Sequence, residues 1–74
     1  MDLFMKGLKM ANIIKIAAVV DKTELSKSTI YAMIKRKEFP AQLCLHRRAV
    51  GWLEDEIDEW IVEKITEKVE RQFH

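Results

Sequence analysis

Apolar and polar positions change rhythm several times along this chain, and each rhythm predicts an element. Between Leu25 and Arg36, Ile30, Met33 and Ile34 recur at i, i+3 and i+4, the spacing that lines one face of an α-helix. Ser26 precedes that stripe and is suited to cap it, because its hydroxyl accepts from backbone N–H groups that a first helical turn leaves unpaired. Leu25 before the cap and Ile30 at the fourth helical position have the spacing of a hydrophobic staple. Upstream, Asn12 to Ile16 reads as a short extended segment, and Ile16 to Lys22 as a short helix with Lys22 at its C-terminal end. Thr23-Glu24 is then a turn, and two short helices joined so closely predict a helix-turn-helix, here without a turn glycine.

Downstream, Lys35-Arg36-Lys37-Glu38 closes the second helix and Phe39-Pro40 stops it, since the residue before a proline is driven toward extended geometry. Gln42 to His46 alternates and predicts a half-buried strand with Leu43 and Leu45 inward and Cys44 on the other face. His46-Arg47 is the expected hairpin tip and Arg48 to Trp52 the return strand. Leu53 or Glu54 opens a last helix whose first turns are acidic, as the positive end of the helix dipole favours. Ile57, Trp60, Ile61, Ile65, Val69 and Phe73 form its inward stripe, and twenty-odd residues at 1.5 Å each give about 30 Å, more than a small core needs. Trp52 and Trp60 belong on the apolar side, so packing rather than base stacking is their expected use. The half from Trp52 to Ile61 belongs in the core, and the half beyond it, carrying Ile65, Val69 and Phe73, covers the N-terminal apolar residues, meets another subunit, or frays. The fold class that follows is α+β, mainly α: a small winged helix-turn-helix with a two-stranded β-wing and a long C-terminal helix. Residues 1–11 form an N-terminal extension, in which Leu3, Phe4 and Leu8 could share one face of a helical turn. Residues 12–62 form the domain, and residues 63–74 continue the last helix.

Length and chemistry narrow the function. Seventy-four residues, 49% hydrophobic, make one small domain. The single Cys44 excludes an internal disulfide, and with His46 and His74 it leaves no four-ligand zinc set, so neither metal nor cofactor is expected. No apolar run is long enough to span a bilayer and no secretory h-region is evident, which points to a soluble, cytoplasmic protein. No glycine-rich phosphate loop, nucleophile elbow or catalytic triad is present, and Glu54-Asp55-Glu56-Asp58-Glu59 matches neither a calcium loop nor a two-carboxylate site, so an enzyme is not expected.

A formal net charge of +1 conceals a polarised chain. Residues 1–50 carry ten Lys and Arg against four acids, a net +6; residues 51–74 carry three against eight, a net −5. Such asymmetry fits a nucleic-acid-binding half backed by an acidic half, or two solvated faces. The outer arc of the second helix favours the first reading. Lys27, Ser28, Tyr31, Ala32 and Lys35 lie there with Thr29 and Arg36 at its border, and it holds no acid, whereas a merely soluble helix gains from Glu–Lys pairs at i, i+4.

Leu25-Ser26-Lys27-Ser28-Thr29-Ile30-Tyr31, then Phe39-Pro40, then Arg48-Ala49-Val50-Gly51-Trp52-Leu53-Glu54, with Glu56-Ile57 and Trp60-Ile61 following, resemble the AlpA family. These are small MerR-like winged-helix regulators related to phage excisionases. The resemblance runs from about Ile13 to Val62. It implies a second helix set into the major groove of duplex DNA and a wing reaching the neighbouring groove or backbone. It also implies a bacterial mobile-element protein that promotes excision, by bending DNA for a tyrosine-recombinase integrase or by raising integrase expression.

The residues expected at the DNA follow from both lines. Ser26 caps the helix, while Lys27, Ser28 and Thr29 present its first turn to phosphates and base edges. Tyr31 reaches a phosphate or packs at the core edge, and Lys35 and Arg36, late in the helix, touch the backbone. Arg47 is a tip contact, Arg48 either a DNA contact or the partner of an acid on the last helix, and His46 a surface or phosphate-proximal residue. Ala32 stands where many relatives carry Arg, and His46-Arg47 where relatives often have Gly or Pro. The expected function is that of an excisionase-like directionality factor acting with the integrase, or a transcriptional regulator of element genes, with self-association on DNA as a further expectation. A protein-interaction module using the acidic helix is the alternative of another class.

Overall fold

A computed structural model describes residues 12–72 of the chain. The elements run β1 (Ile13–Ile14), α1 (Ile16–Thr23), α2 (Lys27–Lys35), β2 (Leu43–His46), β3 (Ala49–Leu53) and α3 (Glu54–Gln72). The architecture is mainly helical α+β, three helices against a small antiparallel sheet, as expected. The sheet has three strands rather than two: β1 pairs with β3 through Ile13 opposite Leu53 and Ile14 opposite Trp52, giving the order β1-β3-β2. Gly51 makes this close approach possible, because a Cβ there would run into the Ile13 side chain and come within 3.1 Å of the Ile14 carbonyl oxygen. Among the described residues no helix is long and apolar enough to cross a membrane.

One core joins every part. Val19 of α1, Ile30 of α2, Phe39 of the following loop, Trp52 of β3 and Ile57 of α3 are buried together. Leu25, Met33, Ile34, Trp60 and Ile61 pack around them, so the stripe of α2 and the first half of that of α3 face inward as their spacing predicts. Each indole N–H finds a carbonyl 3.0 Å away, Trp52 donating to Pro40 and Trp60 to Glu38. The two tryptophans therefore pin the loop from α2 to β2 on either side of Phe39, which sits edge-on to Trp60 with centroids 4.7 Å apart.

The turns are made without glycine. Glu24 ends α1 in the left-handed region at φ 60°, its N–H bonded to Val20 O at 2.7 Å. Thr23 Oγ1 donates to Val19 O and accepts from Leu25 N–H, which tightens the helix-to-helix turn. Lys37 ends α2 at φ 62°, with Glu38 N–H on Met33 O and Lys37 N–H on Ile34 O, a Schellman motif.

Two expectations are corrected. Leu43 and Leu45 are exposed, at 38% and 55%, because β2 is an edge strand and the helices pack beyond its reach. Arg48 lies in the hairpin turn, not the return strand: Leu43 faces Gly51, Cys44 faces Val50 and His46 faces Ala49, so Leu45 is an extra, bulged residue and the tip moves to Arg47-Arg48. The last helix runs to Gln72, and its stripe joins the core through Ile61, as the sequence places it, while Ile65 and Val69 beyond are exposed. The face suggested for Leu3, Phe4 and Leu8, and the stripe position Phe73, lie outside the described residues.

Candidate nucleic-acid interface

The first turn of α2 is built by Ser26. Its Oγ accepts from Thr29 N–H at 3.1 Å and donates to Thr29 Oγ1 at 2.8 Å, so cap and third helical residue hold each other. This leaves the exposed Lys27 and Ser28 side chains at the helix start, clear of the capping bonds. Ala32 and Lys35 continue the exposed face. Tyr31 is half-buried, its ring 6.2 Å from that of Trp52, and its hydroxyl has no hydrogen-bond partner among the described residues. The Tyr31–Trp52 contact ties this helix to β3, so the α2 face and the hairpin are held by one rigid core.

The hairpin turn carries two adjacent cations. Arg47 has φ 20°, an uncommon value for a residue with a side chain, and its carbonyl oxygen accepts from Cys44 Sγ at 3.9 Å. His46, Arg47 and Arg48 are all exposed. Among the described residues Lys27, Lys35, Arg47 and Arg48 form no ion pair, whereas Arg36 Nε donates to Glu38 Oε1 at 3.1 Å. The Arg36 charge is thus partly spent on its own loop.

Two acids of the last helix are paired elsewhere. Lys22 at the end of α1 reaches Glu54 at 2.9 Å and Asp58 at 2.7 Å, and Asn12 Nδ2 donates to Glu54 Oε1 at 3.2 Å. The hydrogen bond from Lys22, then that from Asn12, holds the Glu54 carboxyl below its ordinary range, while Asp58 and then Glu54 push the Lys22 ammonium up. The cation that another element brings to the acidic helix is therefore Lys22, not Arg48, and it ties Glu54 and Asp58 to α1.

Sequence reasoning passed over Lys15. It is the N-cap residue of α1, its carbonyl oxygen accepts from Ala18 and Val19, and its exposed side chain lines a groove with Arg48 of the hairpin. The available signal was a lone lysine between an extended segment and a helix, which says nothing by itself about a hairpin more than thirty residues away.

Residues 12–65 match the family model described as Prophage CP4-57 regulatory protein (AlpA). The chain is 33% identical over 66 residues to a protein of Escherichia coli strain K12 named DNA-binding transcriptional activator AlpA, an alignment covering 81% of this chain and 94% of that protein. It is 36% identical over 52 residues to a protein of Enterobacteria phage P4 named Uncharacterized protein ORF88, covering 70% of this chain and 59% of that one. No solved structure matches the chain. The matched span begins at Asn12, whose carbonyl closes β1 onto α3, and takes in the capped helix, the hairpin and all five core residues; the chain belongs to the AlpA family.

Proposed function

We propose that the protein binds duplex DNA sequence-specifically and regulates genes of a prophage or integrative element. The observation that carries this reading is the capped, solvent-exposed and acid-free face of α2, from Lys27 to Lys35, braced through Tyr31 and Trp52 against a hairpin tipped by Arg47 and Arg48. In this reading α2 enters the major groove, with Lys27, Ser28 and Thr29 at phosphates and base edges. The hairpin acts as a wing on the flank, and Lys35 and the wing arginines supply counterion-release affinity. Arg36 contributes less than its position suggested, since its guanidinium is held by Glu38.

Transcriptional control, at the promoter of an integrase or other element gene, is the output favoured by the name of the E. coli relative. An excisionase-like role beside the integrase is the second reading, motivated by the family resemblance. The two differ in where the protein sits. Footprinting over the element's attachment site and over the integrase promoter separates them: protection at the promoter alone supports transcriptional control, and protection at the attachment site with a dependence of excision on the protein supports the second. No protection of either duplex, with no retardation of nonspecific DNA at low salt, would favour a protein-interaction module.

A further inference from the structure

Val62, Ile65 and Val69 recur on α3 at steps of three and four, which places them on one face, and they are 59%, 57% and 44% exposed. Traced back toward the start of the helix, the same face carries Asp58 and Asp55. Beside it lies a shallow concavity of about 550 Å³ lined by Asp55, Asp58, Glu59, Val62 and Glu63. Lys22 takes Asp58, while Asp55, Glu59 and Glu63 form no ion pair among the described residues. The face is thus acidic near the start of α3 and apolar further along. Residues 1–11 join the described chain beside it. β1 lies antiparallel to β3, which leads straight into α3, and the pairing of Ile14 with Trp52 and Ile13 with Leu53 is continued by Asn12, whose carbonyl oxygen accepts from Glu54 N–H at 2.9 Å. The chain before Asn12 therefore departs from the first turn of α3. Eleven residues span about 16 Å as a helix and about 36 Å extended, and Val62, Ile65 and Val69 stand roughly 12, 16 and 22 Å along the axis from Glu54.

Charge and area both select this segment as the occupant. Read backward from Asn12, its two lysines, Lys9 and Lys6, come in the nearer half, and Met5, Phe4, Leu3 and Met1 in the farther half. Laid antiparallel to α3, it sets cations against the acidic part of the face and apolar side chains against the apolar part. A second copy of the chain is the poorer match. Val62, Ile65 and Val69 leave roughly 300 Å² of apolar surface per copy, against the about 800 Å² per partner that a stable interface buries. A tethered segment meets the same face at an effective concentration on the order of millimolar, so a small contact suffices. We propose that residues 1–11 fold back along α3 as an intramolecular strap, with their lysines over the acids of its first turns and Phe4 over Val62 and Ile65. The strap covers the half of α3 that the core does not reach, and it commits Lys6 and Lys9 to α3. The inference stands apart from the DNA-binding reading.

The test is thermal unfolding of the full chain, followed by circular dichroism, for the unaltered protein, Phe4→Ser, Val62→Ser and the two together. Val62 is exposed on the described chain and serine matches valine in helix propensity, so Val62→Ser is neutral unless something covers it. Each single change should lower the melting temperature by on the order of 5 °C. The double variant should fall no further than the larger single one, because either change empties the same contact. Nuclear Overhauser contacts between the Phe4 ring and the Val62 methyl groups should be present and independent of protein concentration, with sedimentation equilibrium giving the mass of one chain. A Phe4→Ser chain that melts with the unaltered protein, or single effects that add in the double variant, overturns the inference. Contacts that grow with concentration alongside a rising mass assign the face to a second copy and overturn it as well. None of these readouts involves DNA, so the inference fails or stands without touching the proposed function.

Discussion

Replacing Trp52 with Phe separates a structural tryptophan from one that stacks on bases. Trp52 is fully buried, and its Nε1 donates to Pro40 O at 3.0 Å. Phenylalanine fills the site incompletely: a deficit of roughly 40 Å³ at ~24 cal/mol per Å³ costs about 1 kcal/mol. The lost hydrogen bond and the unpaired Pro40 carbonyl add about 1–2 kcal/mol. The expected loss is about 2–3 kcal/mol out of the roughly 4–11 kcal/mol typical of a domain this size. Trp60 donates in the same way but is only half-buried, so Trp60→Phe should cost about 1 kcal/mol. Urea denaturation followed by circular dichroism measures both, and DNA affinity below the unfolding transition completes the test. A Trp52→Phe loss under about 1 kcal/mol, or full stability with DNA binding abolished, would refute the placement of this residue as core.

Two further predictions concern the turn and the acidic cluster. Glu24 pays the left-handed penalty of about 1 kcal/mol at the end of α1, so Glu24→Gly should raise the melting temperature by a few degrees once glycine's greater unfolded-state freedom is subtracted; a lower value would show that the Glu24 side chain is itself stabilising. The Glu54 carboxyl titrates below its ordinary value of 4.5 in the fold, so its contribution is complete above that pH and is lost as pH falls through the lowered folded value. Lys22 titrates above its ordinary 10.5, so its contribution is complete below that pH and disappears as pH rises through the raised folded value. Glu54→Gln should therefore show a smaller drop in melting temperature between neutral pH and the region below 4.5 than the unaltered chain, and an equal drop would remove Glu54 from the acid response.

What the sequence made legible was what neighbouring residues decide. The Ser26 cap, the Ile30-Met33-Ile34 stripe and the opening of α3 at Glu54 are each set within one or two helical turns, and each stands where the local pattern puts it, whereas α2 ends earlier than the Phe39-Pro40 stop, at the left-handed Lys37. Alternation marked β2 as a strand but could not say what lay over it, so Leu43 and Leu45 were assigned to a core that ends one strand earlier. The bulge at Leu45, which moved Arg48 into the turn, depends on strand register and leaves no mark in composition. The same holds for Lys22 with Glu54 and Asp58: acids at a helix start are explained by the dipole alone, and only the tertiary fold brings a lysine from α1 to them. On the candidate site, the exposed face of α2 was readable from its period. The capture of Arg36 by Glu38 and the meeting of Lys15 with Arg48 across a groove were not.

The central claim is that the acid-free face of α2 meets the phosphates of duplex DNA. Its most direct test is the salt dependence of duplex binding for the unaltered protein and for the double variant Lys27→Gln with Lys35→Gln. Both lysines are exposed and outside any ion pair among the described residues, so the variant should fold unchanged. Two lost phosphate contacts should flatten the slope of log affinity against log salt by about 1.8 and weaken binding across all sequences. A folded double variant that binds with the slope of the unaltered protein would contradict the account.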